Sequence, residues 1–267
     1  MTPLNVLIMA GGKGTRLKSS QPKVLHLLAG QSLIEYVLET IRVLKMSETM
    51  VVVGHQAELV KSRLQHLKVF FIEQTPQLGT GHAVQVAQEW WGEKSGNLLI
   101  LSGDVPLISS KTLQRLVRTH NQKDSSVTLL TTNLTDPSGY GRIIRSSNGK
   151  VLNIIEQKDA NPSEKKIDEI NTGLYCFRSS DLKEVINKLS NDNPQKEYYL
   201  TDCIGLLAKN GMQVETVHCD DNLEVMGINT QSELATMEKI LRDRRLKCLD
   251  LLRTDTDYSV CHVIIMC

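Results

Sequence analysis

LNVLIMAGGKGTRLKSSQPK, residues 4–23, decides the fold. An apolar run of strand type, Leu4 to Met9, opens directly onto Gly11, Gly12 and Gly14, with Lys13, Arg16 and Lys23 interleaved. Glycines let backbone amides close on an anion, and neighbouring cations supply the countercharge. The stretch matches neither of two common phosphate loops. A Walker A loop requires Gly-Lys-Ser/Thr at its end, and the dinucleotide fingerprint requires a glycine where Leu17 stands. A plain glycine turn stays open as a reading, although Pro22 fixes the backbone beside Lys23 and suits a lysine folded back over the same anion.

Outward from this stretch, MVVVG at 50–54, VFFIE at 69–73 and NLLILS at 97–102 read as further strands. Continuous apolar runs of this length suit strands buried on both faces of a parallel sheet. Helical patterns lie between them. Ser32-Leu33-Ile34-Glu35 is a capping box, Thr80 starts a helix running to about Trp91, and a helix from about Ser110 sets Leu113, Leu116 and Val117 on one stripe. The order predicts an α/β fold: a doubly wound, Rossmann-like, mostly parallel sheet whose ligand sits at the carboxyl ends of its strands.

From about Ser126 the rhythm shortens to VTLLTT, GRIIR, VLNIIE and NTGLYCF, separated by turn sequences. These predict a small antiparallel extension covering one side of the cleft. Residues 1–229 are read as one domain, closed by a helix over 230–252 with Leu234, Met237 and Leu241 on one face; residues 253–267 read as an irregular tail.

Composition narrows the function. The chain has 267 residues, 40% of them hydrophobic, with 31 Lys and Arg against 30 Asp and Glu. That balance gives no extended basic surface for nucleic acid. Cys176, Cys203, Cys219, Cys248, Cys261 and Cys267 form no CxxC pair, so free thiols in a reducing cytoplasm are expected. Leu4 to Met9 is too short for a signal-peptide core, and no run approaches a membrane span.

Several further residues carry chemistry. Asp104, in SGDVPL, ends an apolar strand; its carboxylate suits Mg²⁺, or caps the following turn. In QTPQLGTGHA the amide of Gln74 suits a pyrimidine edge and Gly79 permits close backbone approach; Gln74 and Gln77 as ordinary loop residues, with Gly79-Thr80 a helix start, stays open as the alternative. By pattern alone Asn229 is the N-cap of the last helix, Glu156 a solvated strand-end charge, Asn171 a turn former and His82 structural.

Gly12-x-Gly14-Thr15-Arg16 followed by Pro22-Lys23 resembles the signature of the sugar-phosphate nucleotidyltransferases. PKVLH, QLGTGHA, GDVPL, GYGRI, EINTG, EYYLTD and GIN then follow in the order found in the uridylyltransferase half of the bifunctional enzymes acting on N-acetylglucosamine 1-phosphate. The resemblance runs from about Leu4 to about Leu252. It implies that UTP and N-acetyl-α-D-glucosamine 1-phosphate are joined to UDP-N-acetylglucosamine, a cell-envelope precursor, with release of pyrophosphate. It also implies a nucleotide site of Met9, Ala10, Gly11, Gly12, Gly14, Thr15, Lys23, Gln74, Gly79 and Thr80, and a sugar site of Gly103, Gly141, Glu156, Asn171 and Thr201. Asp104 and Asn229 would hold Mg²⁺, Arg16 the departing phosphates, and Lys23 the reacting centre.

Ser102 stands where some members carry Tyr, and Met226 where some carry Glu. The alternatives are the same chemistry on another sugar 1-phosphate or with dTTP, or a silent regulator that binds nucleotide sugars. No hexapeptide repeat follows Leu252, so acetyl transfer by a β-helix domain is not expected, and a monomer is.

Overall fold

The structure, a computed structural model, describes residues 2–254. Its strands are β1 (Leu4–Met9), β2 (Leu27–Leu28), β3 (Gln31–Ser32), β4 (Thr49–Val53), β5 (Phe70–Glu73), β6 (Asn97–Ser102), β7 (Val127–Asn133), β8 (Arg142–Arg145), β9 (Val151–Ile155), β10 (Glu169–Arg178) and β11 (Val214–His218). The helices are α1 (Leu33–Ile41), α2 (Ala57–Leu64), α3 (Thr80–Val86), α4 (Gln88–Trp91), α5 (Ser110–Gln122), α6 (Ser179–Ile186), α7 (Asp202–Lys209) and α8 (Gln231–Thr254).

One nine-stranded sheet runs in the order β11-β7-β10-β6-β1-β4-β5, with β8 beside β10 and β9 beyond it. β1 pairs in parallel with both β4 and β6, and β4 with β5. The chain thus winds from β1 to β4 and β5 on one side, then crosses to β6 on the other. The order reverses between β1 and β6, and a crevice opens at their carboxyl ends. β10 runs antiparallel between β6 and β7, and the β8–β9 hairpin extends the sheet at the predicted cleft wall.

Successive side chains of a strand face opposite ways, and here both faces are buried. Val6 and Ile8 of β1, with Leu99 and Leu101 of β6, pack on one side against α1, α2 and α5. Leu7, Leu98 and Ile100 pack on the other against α3, α4, α6 and α7. A third cluster of Leu28, Leu33, Tyr36, Leu107, Ile228, Met237 and Leu241 seats α8. Each fully buried Leu or Ile contributes about 1.5–3 kcal/mol, so this small cluster suffices to fix the start of α8 beside the crevice.

Some expectations need correction. β5 is an edge strand rather than one covered on both faces: Phe70 is 53% exposed, and among the described residues no strand lies beyond it. The Thr80–Trp91 helix breaks at Ala87 into α3 and α4, the turn allowing Trp91 Nε1 to donate to the Val84 carbonyl at 3.0 Å. The capping box on Ser32 forms as read. α8 continues through residues 253 and 254, which the sequence assigns to the tail. The tail beyond, with Cys261 and Cys267, lies outside the described residues. Cys176, Cys203 and Cys219 are free and buried.

Candidate active site

The glycine-rich loop leaves β1 into the crevice and is shaped by one demanding residue. Gly14 has φ 59°, and a Cβ there would lie 2.7 Å from Cβ of Lys23. Only glycine accepts both conditions, so Gly14 lets the Lys23 segment close over the loop. Pro22 then starts a tight turn, with Leu25 N–H donating to the Pro22 carbonyl at 3.0 Å. The Lys23 side chain emerges from this turn.

Lys23 Nζ donates to Oδ2 of Asp104 and, at 2.6 Å, to Oδ1 of Asn229. Nη2 of Arg16 reaches the same Asn229 oxygen at 2.8 Å. Asp104 follows β6, and its backbone carbonyl accepts Ile228 N–H at 3.0 Å, locking the chain before α8 against the strand end. Gly227 leaves room for this approach: a Cβ there would come within 3.4 Å of the Asp104 carboxylate. Two cations and two oxygen donors from distant parts of the chain therefore meet at one point.

Asn229 is not the helix N-cap that its sequence position suggests. Thr230 takes that role, its Oγ1 accepting Glu233 N–H at 3.1 Å. Glu233 reciprocates by accepting Asn229 N–H at 2.6 Å and Thr230 N–H at 2.9 Å. This capping box satisfies the Asn229 backbone and frees its side chain for the crevice. Gln231 Nε2 adds a bond to the Leu17 carbonyl at 3.2 Å, tying α8 to the glycine-rich loop.

A cavity of about 540 Å³ is bounded by Met9, Ala10, Gly11, Gly12, Gly14, Thr15, Lys23, Gln74, Gly79, Thr80 and Asp104. Gln74 is 4% exposed; its Nε2 donates to the Gly79 carbonyl at 2.8 Å and lies 3.2 Å from His82 Nδ1. With His82 in the tautomer that leaves Nδ1 unprotonated, both amide hydrogens have acceptors and Oε1, which borders Gly11, is left for the cavity. Burial lowers the His82 pKa, which suits a neutral ring accepting from Gln74. Gly79, at φ 100°, would bring a Cβ 2.6 Å from the Tyr198 carbonyl. Gly81 N–H, Tyr198 N–H and Leu200 N–H then stitch this loop to residues 198–200.

Beyond the cavity, four of the sugar-site expectations come together. Glu156 accepts from Thr201 Oγ1 at 2.9 Å. A Cβ on Gly141 would lie 3.5 Å from Oε2 of Glu156, so that backbone runs close beside the carboxylate. Asn171 N–H donates to the Gly141 carbonyl at 2.9 Å, and its Nδ2 to the Tyr175 hydroxyl at 2.7 Å. Burial pushes the Glu156 carboxyl above its ordinary range, opposed by the Thr201 hydrogen bond. Gly103 does not join them; its N–H donates to the Met9 carbonyl at 3.0 Å, and it packs near Val24.

Sequence reasoning missed Gly54, Gln77 and Glu197. A Cβ on Gly54 would lie 2.7 Å from the Gly11 carbonyl and 2.9 Å from Gln77 Nε2, and Glu197 lines the cavity. The glycine after MVVV is the available signal for the first; Gln77 and Glu197 open QLGTGHA and EYYLTD, two of the stretches that carry the resemblance, which give them no role of their own. Among the described residues no group of three or more His, Cys, Asp or Glu is placed to hold a metal, and no helix is long and apolar enough to cross a membrane.

A model of the nucleotidyl transferase family matches residues 5–224. The bifunctional protein GlmU of Trichormus variabilis is 46% identical over 242 residues, which are 91% of this chain and 52% of that protein. GlmU of Acetivibrio thermocellus is 43% identical over 247 residues, 92% and 53% of the two. The chain spans about half the length of these curated relatives. A crystal structure of a Bacillus anthracis protein assigned as a glucose-1-phosphate thymidylyltransferase superposes with a TM-score of 0.70 at 20% identity, covering 90% of this chain and 96% of that one. This last likeness is one of fold.

Proposed function

The chain belongs to the nucleotidyl transferase family, and on that premise we propose that it transfers UMP from UTP to N-acetyl-α-D-glucosamine 1-phosphate, giving UDP-N-acetylglucosamine and pyrophosphate. The observation that carries the reading is the meeting of Arg16, Lys23, Asp104 and Asn229, with Lys23 and Asp104 themselves lining the glycine-rich cavity. The likeness to GlmU over nine-tenths of the chain supports the choice of substrates.

In this reading a phosphate oxygen of the sugar phosphate attacks the α-phosphorus of UTP. The bond from that phosphorus to the α,β-bridging oxygen breaks, and its electron pair leaves with pyrophosphate. A phosphate monoester is mostly dianionic at neutral pH, its second pKa being about 6, so the nucleophile needs no general base. The protein's work is then positioning and charge neutralisation. The buried thiols Cys176 and Cys203, held protonated by desolvation, are not called on.

Arg16 and the amides of the glycine loop hold the departing phosphates, and Lys23 offsets charge gathering at the α-phosphate. Oε1 of Gln74 accepts from the imide N–H of uracil, and Gly79 permits the base to lie against the backbone. Glu156, Thr201, Asn171 and Gly141 bind the sugar through its hydroxyl and amide groups.

The Asp104 carboxylate and Asn229 Oδ1 are hard oxygen donors that converge on one cation, the Lys23 ammonium. They fit a small divalent ion that keeps water and phosphate among its ligands. Mg²⁺ held by these two residues would supply Lewis acidity toward the phosphate oxygens.

Incubation of the protein with UTP, N-acetylglucosamine 1-phosphate and Mg²⁺, followed by phosphorus NMR, tests the proposal. UDP-N-acetylglucosamine and pyrophosphate are expected in equal amounts, and neither with a chelator present. Tight binding of UDP-N-acetylglucosamine with no turnover contradicts an enzyme and supports a silent regulator.

A further inference from the structure

Arg142 is 1% exposed and ranks among the largest fully buried side chains, yet no ion pair to it forms among the described residues. Burying an unpaired charge is costly, and a guanidinium does not escape the cost by losing its proton. Burial does disfavour its charged form, with Asp136 the opposing influence. Its partners are neutral oxygens. Nη1 donates to the Tyr140 carbonyl, Nη2 to Oε1 of Gln157 at 2.7 Å and, at the limit of length, to the Lys165 carbonyl at 3.5 Å. Nε has no partner among the described residues.

These acceptors belong to two different connections. Tyr140 lies in the chain between β7 and β8, and Gln157 and Lys165 lie between β9 and β10. The first connection delivers Gly141 and the second begins with Glu156, two of the residues assigned to the sugar. Arg142 thus reaches from the first residue of β8 into both walls of the sugar pocket.

The Tyr140 carbonyl and the Gly141 N–H belong to one planar trans peptide, so they point in opposite directions. With Tyr140 O bound to Arg142 and Gly141 O bound to Asn171 N–H, the Gly141 backbone is fixed from both ends. Gly141 N–H itself finds no acceptor among the described residues, although Gly141 is buried. Leaving a buried donor unsatisfied is unfavourable unless a ligand completes it.

We propose that Arg142 is a positioning residue for the sugar phosphate: a buried clamp that holds both sugar-side connections and presents the Gly141 backbone beside Glu156. The assignment rests on the reading of these residues as the sugar site. A guanidinium serves where lysine does not, because its planar fork serves several acceptors at once.

The test compares the unaltered protein with Arg142→Met, Arg142→Lys and Gln157→Leu, by steady-state kinetics in both substrates and by amide hydrogen exchange. Arg142→Met should raise the KM for sugar phosphate about tenfold, leaving kcat at saturation and the KM for UTP within about twofold, the pattern of lost ground-state positioning. Arg142→Lys should not rescue it. Gln157→Leu, which removes one leg of the clamp from a half-buried position, should give a smaller rise and keeps the test open if Arg142 variants do not fold. Exchange should quicken in residues 136–141 and 157–166 together, and not in residues 11–17. Unchanged exchange in those two segments overturns the clamp, as does an equal rise in both KM values. Absence of turnover in the unaltered protein refutes the sugar-phosphate reading instead, and the exchange result still decides the clamp.

Discussion

Oδ1 of Asn229 lies 2.6 Å from Nζ of Lys23, a residue 206 positions earlier in the chain. The contact exists because Glu233 caps the Asn229 and Thr230 amides and because Ile228 bonds to the Asp104 backbone. Removing the Asn229 side chain should therefore disturb the site and little else. For Asn229→Ala, kcat should fall about 100-fold or more, a loss of roughly 3 kcal/mol of transition-state stabilisation, with a thermal midpoint close to that of the unaltered protein. Stopped assays for pyrophosphate alongside calorimetry check both parts.

The capping box predicts the reverse pattern of causes. Glu233→Ala should cost about 1 kcal/mol in a urea titration, as a lost helix cap does, and should also lower turnover by loosening Asn229. Glu233→Gln retains an acceptor for the same amides and should recover most of the stability.

Gly12 and Gly14 separate ligand contact from fold. A Cβ on Gly12 meets nothing within 4 Å and its backbone is unstrained, whereas Gly14 is at φ 59° and crowded by Lys23. Gly12→Ala should keep its melting behaviour while its KM for UTP rises, because only an approaching phosphate needs that space. Gly14→Ala should lose about 1–3 kcal/mol of stability as well. Equal nucleotide affinity in a folded Gly12→Ala protein removes Gly12 from the phosphate site.

Glu156 gives a pH prediction. Its folded pKa is raised above the ordinary value of 4.5 chiefly by burial. The unfolded chain therefore releases this proton first as pH rises, and stability falls between the ordinary and the raised value. Glu156→Gln should melt higher than the unaltered protein at pH 7 and converge with it below about pH 4, where both carboxyl states are protonated. The same variant should bind sugar phosphate more weakly.

Legibility in the sequence followed the range of the interactions. The glycine loop could be read from residues 9–23 because its glycines, proline and cations are contiguous, and β1, β4 and β6 because they are covered on both faces. VFFIE has the same apolar texture, but no local signal says that no strand lies beyond it. VETVH, which forms β11, carries too little apolar surface to stand out from the segments around it. The roles of Asn229 and Thr230 depend on a contact across the whole chain, so a helix-start pattern pointed one residue away from the true cap. Arg142 sits among apolar neighbours in GRIIR, where nothing in the pattern marks it as buried.

Whether the site selects UTP and N-acetylglucosamine 1-phosphate is decided by kcat/KM across a small panel. The panel pairs UTP and dTTP with N-acetylglucosamine 1-phosphate, glucose 1-phosphate and N-acetylmuramate 1-phosphate, all with Mg²⁺. UTP with N-acetylglucosamine 1-phosphate should exceed every other pair by at least about tenfold, the discrimination that one or two specific hydrogen bonds provide. A higher kcat/KM for dTTP, or for a sugar lacking the acetamido group, overturns the assignment of UTP and N-acetylglucosamine 1-phosphate as substrates.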